Sequence, residues 1–199
     1  MRLVAWARAV KSRQRHHGRG AGLPVLWLFT DAARLPDPRA TAARLPKGLS
    51  GIVLRHDGAP GRKALGRDLA RICRERRLML VVAGDARLAA RLHAGLHLRR
   101  GRRPRAGIRP GGLVTSSAHS IGELARARRA GAALVFLSPV FPTLSHTGVP
   151  ALGPVRWARM ARHGKLPALA LGGIDGVRAR ALPRGICAGA AAIGALATA

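Results

Sequence analysis

The chain has 199 residues, with 36 Lys+Arg against 8 Asp+Glu, a formal net charge of +28 and only 3% aromatic side chains. That length suits one sizeable core filled mainly by Ala, Leu and Val, and no apolar run approaches the roughly 20 residues that span a bilayer. So positive a chain attracts polyanions, from nucleic acid to phosphorylated metabolites.

Taken in chain order, residues 3–15 have the pattern of an amphipathic helix, and a glycine- and histidine-bearing "HHGRGAG" follows. Residues 1–22 read as a basic N-terminal extension, either helical or flexible, ahead of a domain over 23–199. The first strand is "PVLWLFT" (24–30), followed by a helical "DPRATAARL" and a second strand, "GIVLRH" (51–56). Residues 61–77 repeat Leu65, Leu69 and Ile72 at helical spacing. "LMLVVAG" (78–84), a short helix and "AGLHLR" (94–99) come next. The arginine-rich "RRGRRPRAGIRP" reads as a loop in the place of a helix. Strand 112–120, helix 120–131 and strand 132–141 precede a helix over 153–164 that carries Pro154 in its first turn. Residues 166–174 and 185–196 supply the last two strands. Eight apolar runs alternating with helices or loops predict a single α/β domain, a (β/α)8 TIM barrel with trimmed helices; an open doubly wound sheet is the alternative.

Most of the positive charge is arginine, and with abundant Ala and Gly it also fits the bias of GC-rich coding. No aromatic residues interleave with the arginines as a base-stacking surface requires, and no helix-turn-helix, zinc-finger or RNA-recognition pattern occurs. Phosphate affinity is therefore expected, and nucleic acid is not the expected partner. Cys73 and Cys187 lack metal-ligand spacing and read as buried, reduced thiols. The short N-terminal apolar run is broken by Arg8 and lacks a cleavage site. The expectation is a cytoplasmic protein without membrane partners, whose homo-oligomeric state stays open.

In such a barrel the chemistry sits where strands end. The strand ends carry Thr30 and Asp31, Arg55 and His56, Gly84 and Asp85, His97, then Ser117 and His119. Ser117 and His119 lie two residues apart, on one side of an extended strand, and a histidine is the natural proton carrier near neutral pH. Gly172 and Gly173 after the seventh strand and Gly194 after the eighth let backbone N–H groups approach an anion, and those two loops are the recurrent phosphate site of the fold.

"LFTD", "IVLR", "AGLHL", "SSAHS", "AGAALVFLSPVFPTLSH", "ALGGI" and "GAAAIGAL", in that order, resemble the thiamine-phosphate synthase superfamily, which includes the thiazole tautomerase. The resemblance implies a barrel that binds a thiazole phosphate. The synthase joins it to a pyrimidine-methyl diphosphate with Mg²⁺ and releases pyrophosphate; the tautomerase shifts a proton on a thiazole carboxylate phosphate without metal. By that resemblance Gly172, Gly173 and Gly194 match the phosphate cradle. Arg55, Ser117, Thr143, Ser145 and His146 match substrate-binding positions, and His119 matches the family histidine.

The departures concern the metal. Where the synthase pattern has Asn-Asp after the third strand this chain has Ala83 and Gly84, with Asp85 one place later. Arg99, Arg100, Gly101 and Arg102 stand where a second metal-binding Asp is expected, and His146 replaces a lysine. Mg²⁺ needs oxygen donors, which arginines do not offer. The expectation is thus a metal-independent, tautomerase-like enzyme with no metal ligands and no cofactor. A Mg²⁺-dependent thiamine-phosphate synthase is the alternative, and a non-catalytic relative that binds phosphate or nucleic acid is the third reading.

Overall fold

A computed structural model describes residues 2–16, 22–104, 111–143, 148 and 150–197. Eight parallel strands close into a barrel in sequence order: β1 (Leu26–Phe29), β2 (Ser50–Leu54), β3 (Met79–Ala83), β4 (Gly95–Leu98), β5 (Val114–Ala118), β6 (Leu134–Leu137), β7 (Ala168–Leu171) and β8 (Cys187–Ala192). The eight-unit barrel read from the alternation is the observed fold. β1 pairs with β8 as well as β2, so no sheet edge is left open.

Period-2 alternation assigns each strand residue to one of two cores. Leu26, Leu28, Ile52, Leu54, Leu80 and Val82 point outward into the layer beneath the helices. Trp27, Phe29, Val53, Val81, Phe136 and Leu169 point inward and fill the barrel. The Phe29 ring meets Phe136 edge-on at 4.8 Å and His97 at 5.5 Å between centroids. Gly51 makes room for this stack, because a Cβ there would lie 2.6 Å from the Trp27 ring.

The outer wall is α1 (Arg2–His16), α2 (Arg39–Arg44), α3 (Arg62–Arg76), α4 (Ala86–Arg91), α5 (Ile121–Arg129), α6 (Gly153–Gly164) and the single turn α7 (Gly194–Ala197). Asp85 and Ser120 cap α4 and α5 by accepting from the N–H groups of Leu88 and Glu123. The wall is thin in two places. Between β4 and β5 no helix stands among the described residues, and residues 105–110 of the arginine-rich segment lie outside them. Between β7 and β8 there is only a 3-10 helix, Arg178–Ala181. α1 covers that second gap: Leu3, Ala7 and Val10 are buried, and the helix packs on β8 and the 3-10 helix. Lys11 Nζ donates to the Leu23 carbonyl and Gln14 Nε2 to that of Ala188.

The strands are shorter than the apolar runs that predict them. Residues 194–196, expected as strand, fall in α7 instead. The apolar runs continue past the ladder because the strand exits are themselves buried: Thr30, His56 and Val140 are all nearly inaccessible although no longer in strands.

Candidate active site

The inward parity of each strand continues one or two residues past its end and delivers side chains to the C-terminal mouth. After Val53 the next inward position is Arg55, after His97 it is Arg99, after Thr115 come Ser117 and His119, and after Phe136 comes Ser138. Two cavities lie side by side there. The smaller, ≈ 90 Å³, is lined by Arg34, Arg55, Ser138, Thr143, Gly172, Gly173 and Gly194. The wider, ≈ 500 Å³, is lined by Asp31, Arg55, Asp57, His97, Arg99, Arg100, Ser117, His119 and Ser138. Phe29, Arg55, Ser138 and Leu171 border both.

Seven of the residues singled out from the sequence thus fall together: Gly172, Gly173, Gly194, Thr143 and Arg55 on the smaller cavity, with Arg55, Ser117 and His119 on the larger, Arg55 being shared. The other two, Ser145 and His146, lie outside the described residues. Arg34, Ser138, His97, Arg99 and Arg100 also line the mouth. Parity alone points to Arg99 and Ser138, whereas Arg34 comes from a loop whose course no periodicity reveals.

Each wall has a local cause. The loop after β6 is tied to its neighbours by backbone bonds: Val140 N–H donates to Leu171 O, Phe141 N–H to Gly172 O and Leu152 N–H to Pro139 O. The Ser138–Pro139 peptide bond is cis. Gly173 has φ +64°, and a Cβ on it would lie 2.4 Å from the Pro142 carbonyl oxygen, so no side chain fits between the two loops. Arg55 is fixed at three points: its N–H donates to Thr30 Oγ1 at 3.0 Å, its Nε to Thr30 O at 3.1 Å, and its Nη2 pairs with Asp31. Burial raises the pKa of Asp31, but the N–H groups of Arg34 and Ala33 and the charge of Arg55 outweigh that and hold it below the ordinary carboxylate value.

His119 Nδ1 lies 2.9 Å from the Ser138 carbonyl. A carbonyl only accepts, so Nδ1 carries the proton and the neutral ring keeps its lone pair on Nε2. His97, deep in the barrel, meets Thr115 Oγ1 through Nδ1 at 2.9 Å. Burial, and then the charges of Arg55 and Arg99, push its pKa down to about 3.

The carboxylates at the mouth are engaged by cations or helix ends. Asp57 Oδ1 is 2.5 Å from Arg99 Nη2 and 3.4 Å from Arg62 Nη2. Asp85 Oδ1 caps α4 at 2.9 Å, and its Oδ2 is 3.6 Å from Arg62 Nη1. Among the described residues there is no group of three His, Cys, Asp or Glu side chains that could hold a metal ion. No helix among them is long and apolar enough to cross a membrane.

Comparison with known proteins agrees with this architecture. The family model for thiamine monophosphate synthase matches residues 26–196. The chain is 32% identical over 181 residues to the thiamine-phosphate synthase of Chlorobium luteolum, covering 87% of this chain and 85% of that protein. It is 31% identical over 174 residues to the thiamine biosynthesis bifunctional protein ThiED of Geobacter sulfurreducens, covering 84% of this chain but only 35% of that longer protein. Among solved structures, the thiamine phosphate pyrophosphorylase of Pyrococcus furiosus superposes with a TM-score of 0.72 at 26% identity, over 85% of each chain. With a closed barrel, a polar mouth at the strand ends and a match over residues 26–196, the chain belongs to the thiamine monophosphate synthase family.

Proposed function

We propose that the chain transfers a pyrimidine-methyl group from its diphosphate to a thiazole phosphate. The observation that carries this reading is the divided mouth, two cavities sharing Arg55 and Ser138. A bimolecular transfer needs two adjacent anionic substrates, held so that the reacting atoms face each other. A proton shift on one thiazole needs a single pocket. The named relatives favour the same choice, which replaces the tautomerase as the leading reading.

In this reading the thiazole phosphate sits in the smaller cavity against Gly172, Gly173 and Gly194, with Arg34 and Thr143 as polar partners. The diphosphate occupies the wider cleft beside Arg55, Arg99 and Arg100. The thiazole nitrogen bonds to the methylene carbon as the C–O bond to the diphosphate breaks, and that electron pair leaves on pyrophosphate. The chain's part is to orient both substrates and to balance the leaving charge. Mg²⁺ would supply charge neutralisation in a synthase, but the carboxylates here do not fit it: Asp31, Asp57 and Asp85 each pair with an arginine already. No step is assigned to a metal.

The position of His119 favours a second reading, proton transfer on a thiazole carboxylate phosphate with Nε2 as the base. Supplying both substrates, or the thiazole carboxylate phosphate alone, separates the two. Thiamine phosphate is expected from the pair. Conversion of the lone thiazole, lost in His119→Ala, together with no coupling of the pair, restores the tautomerase.

A further inference from the structure

We infer that Arg99, seated against Gly84 and Asp57, forms with Arg55 and Arg100 a binding site for a diphosphate group that works without a divalent cation. The identity of the ligand rests on the transfer reading above, in which pyrophosphate is the leaving group.

Gly84 follows β3 with φ +69°, and a Cβ built on it would lie 3.3 Å from Cζ, Nε and Nη2 of Arg99. The guanidinium therefore fills the space that a side chain at position 84 would take. The two departures from the synthase pattern, a missing carboxylate after β3 and arginines after β4, are thus one structural exchange: a cationic group lies where an anionic one would have recruited a cation. Asp57 is what positions it. Its Oδ1 bridges Arg99 on the open side and Arg62 on the inner side. Arg62, largely buried, is in turn fixed by the carbonyls of Arg55 at 2.8 Å and Ala83 at 2.7 Å. A cation entering here would have to displace a guanidinium from each carboxylate.

The charge that remains is positive. The two cavities are lined by four arginines, Arg34, Arg55, Arg99 and Arg100, against two aspartates, Asp31 and Asp57. A guanidinium offers a planar fork to phosphate oxygens, which suits a diphosphate better than a point charge does.

Calorimetric titration of the full chain with inorganic pyrophosphate, in excess chelator and in Mg²⁺, tests this. Binding is expected in chelator, with no tightening on adding Mg²⁺. Arg99→Gln should weaken it by about tenfold, the worth of one charge-assisted contact, and Gly84→Asp should weaken it too, by capturing Arg99. Arg129→Gln, on the exposed far end of α5, should not. Far-UV circular dichroism checks that each variant is folded, and Gly84→Asp serves if Arg99→Gln is not. Pyrophosphate binding that needs Mg²⁺, or that both folded mouth variants leave unchanged, overturns the inference. Turnover separates it from the reading beneath it. Thiamine phosphate formed only with Mg²⁺ sinks the inference and leaves the transfer reading standing, whereas metal-free pyrophosphate binding without coupling does the reverse.

Discussion

At the scale of single residues, the mouth is built by side chains whose charges and protons are set by their neighbours. His97 is the clearest case: it is buried, packs against the Phe29 and Phe136 rings and is hydrogen-bonded to Thr115. Its ordinary pKa of 6.5 falls to about 3 in the folded chain. Below pH 6.5 the unfolded chain binds a proton that the folded chain refuses, so this residue lowers stability as pH falls from 6.5 toward 3. Denaturant unfolding across that window should show a steeper loss for the parent than for His97→Gln, by up to about 1.4 kcal/mol per pH unit. Parallel profiles would remove His97 as the source. The thiols behave as the sequence suggests: Cys73 and Cys187 are both buried, and burial raises their pKa values to about 12 and about 11.

At the scale of elements, strand order and strand interiors were legible because both rest on local pattern: β-branched and aliphatic runs, and a period of two. Parity carried further than the strands themselves and already paired Ser117 with His119. The boundaries were less legible. Residues such as Thr30 and Val140 are buried by loops that pack over the barrel end, so hydropathy continues after the ladder stops. Arg34, on the smaller cavity, and the Gly84–Arg99 exchange depend on which loops meet across the mouth, and no one-dimensional spacing encodes that. The barrel interior depends on a similar long-range fit, Gly51 against the Trp27 ring. Gly51→Ala should therefore cost about 1–3 kcal/mol by overpacking, read as a lower denaturation midpoint. An unchanged midpoint would mean that the ring can turn aside.

At the scale of the whole molecule, α1 belongs to the packed wall although the family match begins only at residue 26. Its amphipathic pattern is used in packing: Leu3, Ala7 and Val10 close the gap left by the short 3-10 connection. The net charge of +28 is spread along the sequence, but at the mouth it has a definite form, arginines around two cavities with Arg55 between them. Transfer requires those cavities to hold separate anions at the same time. The most direct measurement is a crystal structure of the chain soaked with both thiazole phosphate and pyrophosphate. The monophosphate is expected at Gly172, Gly173 and Gly194 and the pyrophosphate against Arg55 and Arg99, both present in one molecule. Mutually exclusive occupancy of a single position would contradict it.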